Sequence, residues 1–113
     1  MPLSIGITGL SQAGKSTLFK ALTCLSEADV SGRKQPLARA AVPDQRLWKL
    51  AEIFQPKKTT PATVDFLDMP GGTSSGLGTQ AISEVRTSTL LLAVVRCFKH
   101  PYLEGVDPLA DLE

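Results

Sequence analysis

The stretch LSIGITGLSQAGKST, Leu3 to Thr17, decides the fold. Its apolar alternation at Leu3, Ile5 and Ile7 predicts a strand. Directly after it, Leu18, Phe19, Ala21, Leu22 and Leu25 recur at helical spacing and predict a helix. Between the two, Gly9 to Ser16 fits the phosphate-binding pattern G-x-x-x-x-G-K-[ST]. Gly9 and Gly14 permit backbone angles and close approaches that a Cβ would block. The loop amides can then point inward and, with the positive end of the helix dipole, cradle a phosphate chain. Lys15 supplies a point charge for β and γ phosphates, and the Ser16 hydroxyl is placed to ligate Mg²⁺. An incidental Gly-rich turn is the competing reading. Average residue usage puts the full pattern in roughly one of a few hundred chains this long, before any demand for strand and helix flanks.

Working outward, 113 residues make one domain with a single core. A net charge of +1 gives no bulk field that would draw in DNA or a membrane surface. Cys24 and Cys97 have no C-x-x-C partner and read as buried free thiols in a reducing cytoplasm. The N-terminus lacks a basic region followed by a long apolar segment, and the apolar run Leu90 to Val95 is too short to cross a bilayer. The expectation is a soluble cytoplasmic protein.

Ser26 to Pro36 is polar, carries Gly and Pro, and reads as a loop. Leu37 to Val42 reads as a short edge strand. Asp44 is a candidate N-cap for a helix whose stripe is Leu47, Leu50, Ala51 and Phe54, with Trp48 beside it as a partly buried packing residue. Thr59 to Asp68 predicts a strand, its first part confined to an edge or a bulge by Pro61. Met69 to Gly78 is a Gly- and Ser-rich loop, Gln80 to Arg86 a short helix, and Thr89 to Phe98 a strand buried on both faces. His100 reads as a surface residue, and Asp107-Pro108 as a cap opening a last helix. Strands alternating with helices imply a mostly parallel sheet flanked by helices.

A second chemical signal follows the third strand. Asp68-Met-Pro-Gly71 is D-x-x-G after an apolar strand. In a P-loop protein an acid at a strand's end holds Mg²⁺, usually through water. A glycine three residues on can offer its N–H to the terminal phosphate. The order of elements is that of GTPases. Met69 stands where AAA-type ATPases place a water-polarising glutamate. Asp65 reads as a structural or exposed carboxylate.

With both signals in place, the chain resembles the Obg-like ATPase (YchF) family of translation-factor-class P-loop NTPases. The matching segments are GLSQAGKSTLFKALT, VPDQRLWKLAEIFQPKKTTPATVDFLD, GLGTQAISEVR, AVVRCF and VDPLADLE. The resemblance implies a Ras-like three-layer α/β sandwich with a mostly parallel sheet. It also implies Mg²⁺-dependent hydrolysis of ATP or GTP, and association with ribosomes. The residues carried over are Gln12, Ala13, Gly14, Lys15, Ser16, Thr17 and Gly71 for the nucleotide, and Ser16 and Asp68 for Mg²⁺. Against the family pattern, the first-switch segment Ser31 to Ala41 contains no threonine. The second-switch loop is short, and Gly72 follows D-x-x-G where Ras-like enzymes place a water-orienting glutamine. No general base is assigned; Gln12 and Gln80 are the candidates. Base-recognition strands, the helical insertion and the TGS-type domain have no matching text. Residues 1–113 therefore read as a C-terminally truncated, partial G domain with an open sheet edge for self-association.

The function expected is nucleotide binding with slow hydrolysis, on the order of 10⁻³ s⁻¹ or less without a glutamine or arginine finger. The alternative is a nucleotide-binding module that hydrolyses nothing useful. A small-molecule kinase would want an arginine-rich lid, which the sequence lacks.

Overall fold

The computed structural model describes residues 3–26, 37–69 and 79–112. In chain order the elements are β1 (Leu3–Thr8), α1 (Lys15–Thr23), β2 (Leu37–Ala41), α2 (Gln45–Phe54), β3 (Thr63–Asp68), α3 (Thr79–Thr87), β4 (Leu90–Ala93) and α4 (Pro108–Leu112). The strands form one sheet in the order β2-β3-β1-β4. β1 is central and pairs parallel with β3 and β4, whereas β2 runs antiparallel along the outer side of β3. This is the mixed, mostly parallel α/β architecture that the alternating pattern predicts.

The register decides where a ligand can sit. Ile7 stands opposite Asp68 on one side, and Thr8 opposite Ala93 on the other. The ladder continues one step past each strand, with Met69 N donating to Ile7 O at 3.1 Å and Val94 N to Thr8 O at 2.8 Å. The carboxyl ends of all three parallel strands therefore line one rim, where crevices of open α/β sheets form.

α1 packs against β1, β2 and β3. Its Phe19, together with Ile7, is fully removed from solvent, and Met69 nearly so. The core is thus concentrated directly under the turn joining β1 to α1. At α2, Asp44 caps the first turn by accepting from Arg46 N at 3.0 Å. At α4, Asp107 does the same for Ala110 N at 3.2 Å. Asp65 is structural: Arg39, its cross-strand partner, grips both its oxygens at 2.7 and 3.0 Å. That hydrogen-bonded guanidinium holds the Asp65 carboxyl below its ordinary value.

Several expectations change. The strand expected over Thr89 to Phe98 is only Leu90–Ala93, and it is exposed rather than buried on both faces, with Leu90 at 52% and Leu91 at 50%. It is the outer strand of the described sheet, so one flank has no neighbour, and the chain leaves the ladder after Val94. Cys24 and Cys97 are free thiols, as expected, but both are exposed. Cys24 is the C-cap of α1, turned out at φ 55°, and Cys97 lies beyond β4. The α2 stripe is exposed at Leu50 and Phe54, and Trp48 is 54% exposed, because no described element covers that face. His100 is half-buried and accepts from Tyr102 N through Nδ1. Of the loops read over Ser26 to Pro36 and Met69 to Gly78, residues 27–36 and 70–78, Gly71 among them, lie outside the described residues, as does the side chain of Gln80. Among the described residues no helix is long and apolar enough to cross a membrane.

Phe19→Ala should destabilise the fold by about 3–5 kcal/mol, because its site under the turn is closed on every side and leaves a cavity. Urea unfolding followed by circular dichroism measures this.

Candidate functional site

The turn between β1 and α1 is shaped by two glycines. At Gly9, φ is +152° and a Cβ would collide with the Val94 carbonyl oxygen, so β4 can run on past this point only against bare backbone. At Gly14, φ is +96° and the residue is the N-cap of α1. A left-handed residue here sends the chain into the helix while Ala13 N closes the loop onto Leu10 O at 3.3 Å. Gln12 is also left-handed, at φ 62°.

A helix normally has its first N–H groups satisfied by a capping side chain or an early acid. α1 has neither: Gly14 caps without a side chain, and no Asp or Glu occupies the first turn. The first backbone bond is Leu18 N to Gly14 O at 3.0 Å. The preceding donors and the dipole they terminate face an uncapped end.

Two side chains meet across this end. Ser16 Oγ donates to Asp68 Oδ2 at 2.7 Å, joining the start of α1 to the last residue of β3. The other oxygen, Asp68 Oδ1, is buried and has no hydrogen-bond partner among the described residues. A buried carboxylate oxygen without a donor is costly, and a cation or a cation's water satisfies it. Lys15 is 6% exposed, and its ammonium turns onto Leu10 O at 2.6 Å. Burial pushes Lys15 below its ordinary 10.5, while the charge of Asp68 opposes that shift.

Beside the loop lies a cleft of ≈ 500 Å³ lined by Ala13, Gly14, Thr17, Val95, Cys97 and Phe98, among others. Its walls are mainly apolar. The Phe98 ring stands against the cap of α1, where a Cβ on Gly14 would lie 3.7 Å from its Cε1.

Of the residues predicted from sequence, Gln12, Ala13, Gly14, Lys15, Ser16 and Thr17 share this turn, and Asp68 reaches it from β3. The cleft wall formed by Val95, Cys97 and Phe98 had no role assigned from sequence. The signals available were the family match of AVVRCF and the arginine and cysteine interrupting the apolar run LLLAVVRCF.

Strand order, left-handed glycine turn and the Ser16–Asp68 pairing define a P-loop G-domain fold. A family model described as "50S ribosome-binding GTPase" matches residues 4–112. The chain is 38% identical to the ribosome-binding ATPase YchF of Bacillus subtilis (strain 168) and 37% identical to that of Escherichia coli O157:H7, covering 100% of this chain in both and 34% and 35% of those proteins. The solved structure of the Schizosaccharomyces pombe YchF GTPase superposes with a TM-score of 0.72 at 34% identity, over 97% of this chain and 33% of that one. The chain belongs to the 50S ribosome-binding GTPase family, within its Obg-like (YchF) group. It spans about a third of the length of the curated relatives it matches.

Gly9→Ala should cost roughly 3 kcal/mol, since the clash is with a backbone carbonyl and the dihedral is left-handed. Gly105→Ala, at φ +70° with open space around it, should cost less. Paired thermal melts compare the two.

Proposed function

We propose that this chain binds ATP or GTP with Mg²⁺ and hydrolyses it slowly, as the nucleotide-responsive part of a translation-factor-class switch. The observation that supports this most is the uncapped α1 end beside an orphaned buried carboxylate oxygen, Asp68 Oδ1. In this reading the amides of Gln12 to Thr17 hold the polyphosphate, and Lys15 leaves Leu10 O to meet it. Ser16 and Asp68 hold the metal ion. Gly71, outside the described residues, offers its N–H to the terminal phosphate. When bound, Mg²⁺ offsets the charge on the phosphoryl oxygens. The apolar cleft beside Gly14 and Thr17 receives the nucleoside, with the Phe98 ring as a flat wall for the base.

Relatives are named both as ATPases and, in the solved structure, as a GTPase, so either nucleotide is a candidate. The ribosome enters as a partner because the curated relatives are named ribosome-binding. Among the described strands the outer flank of β4 has no partner, which supports self-association along that edge. The cytoplasm follows as the compartment of such a partner. A binding module without useful hydrolysis is the second reading. Gly72 in the position of the water-orienting glutamine, and no threonine in 31–41, favour it.

Titration with fluorescent ATP and GTP analogues, followed by single-turnover phosphate release, separates the readings. Asp68→Ala should abolish the gain in affinity that Mg²⁺ confers and remove turnover. Binding indifferent to Mg²⁺ in the unaltered chain would sink the assignment of Ser16 and Asp68. No phosphate release over hours would leave the module reading.

A pH profile tests Lys15. Bound phosphates favour its charged form, whereas burial in the free protein disfavours it. Binding therefore takes up a proton between the depressed free value and the higher bound one. Affinity should fall as pH rises through that window, by up to about tenfold per pH unit, beginning below the ordinary lysine range. Lys15→Arg should bind with a flat profile over the same range.

A further inference from the structure

We propose that Arg96 is a positioning residue for the nucleoside half of the site: its buried guanidinium clamps the segment after β4 so that the Phe98 ring closes the cleft against the phosphate loop. This rests on the nucleotide reading above. Arg96 is only 9% exposed, and among the described residues no carboxylate pairs with it. Its Nη2 donates to Gly105 O at 2.8 Å and its Nη1 to Phe98 O at 3.4 Å. The two acceptors are the opposite ends of one loop.

That loop is drawn together at its waist, where His100 and Leu103 form an isolated bridge with Leu103 N donating to His100 O at 3.3 Å. Gly105, at φ +70°, turns its carbonyl back to the guanidinium. The alternation of the chain does the rest. Val95 and Cys97 line the cleft, while Arg96 between them is buried and absent from its lining. Held through its own carbonyl, Phe98 then keeps its ring at the cap of α1. Two separated N–H groups in a rigid plane are needed to hold both carbonyls at once. A lysine ammonium cannot reproduce that fork. A buried charge held by neutral carbonyls stabilises poorly compared with an apolar filler, so what it contributes here is placement.

The test compares Mg-ATP with inorganic tripolyphosphate, which engages the phosphate loop and has no nucleoside. Calorimetric titration of the full chain should show Arg96→Lys weakening ATP by about tenfold or more while tripolyphosphate affinity stays within about twofold. Phe98→Ala should do the same, and Arg96→Lys added to it should cause no further loss, because both act through one ring. Gly105→Ala moves the acceptor through backbone strain alone, at a position with open space, and should shift ATP in the same direction. Unchanged ATP affinity in both Arg96→Lys and Gly105→Ala overturns the proposal. So does equal loss of both ligands, which would make Arg96 a general stabiliser. An unaltered chain that fails to bind tripolyphosphate refutes the phosphate-site reading itself, and this inference with it.

Discussion

The hydrogen bond from Ser16 Oγ to Asp68 Oδ2, 2.7 Å long across a sequence separation of 52 residues, is the constraint around which the site is arranged. It can form only because β1 and β3 pair parallel with Ile7 beside Asp68, which brings the end of β3 level with the turn into α1. Phe19 and Ile7, fully buried below, hold the helix at the height where Ser16 reaches across. On the other side, the bare backbone of Gly9 lets the chain beyond β4 come close enough to bring Val95 and Phe98 to the same turn. Core, register and glycine geometry converge on one rim of the sheet.

That convergence leaves the periphery loosely covered. The apolar stripe of α2 and the strand residues of β4 are largely exposed, while the fully buried side chains cluster beneath the turn. The hydrophobic effect scales with the apolar area removed from water, so stability is concentrated where the site is. Local order at the outer flank rests instead on hydrogen bonds and ion pairs such as Arg39–Asp65 and the Asp44 cap. Those exposed pairs contribute little each and set geometry more than stability.

Lys15 and Arg96 are both cations buried in a small protein, and their partners differ in kind. Lys15 rests on a loop carbonyl with the Asp68 charge nearby, an arrangement a polyanion can displace. Arg96 is held at two carbonyls by a planar fork and has no competing acid among the described residues. A flexible ammonium suits a group that must move toward its ligand. A rigid guanidinium suits one that must keep a wall in place.

The G-x-x-x-x-G-K-[ST] text, its strand and helix flanks, the acid closing β3 and the caps at Asp44 and Asp107 were all legible in the residues, because each is a local event. Backbone dihedrals, helical periodicity and capping depend on neighbours in the chain. The exposure of β4 and of both cysteines, the orphaned Asp68 oxygen and the Arg96 clamp were not legible. Each depends on what lies alongside a residue in space, which periodicity does not encode. An apolar run reads the same whether its strand is central or at the sheet's flank, and only the pairing order tells which. An arginine within such a run does not disclose which carbonyls it will hold until the loop has folded back to present them.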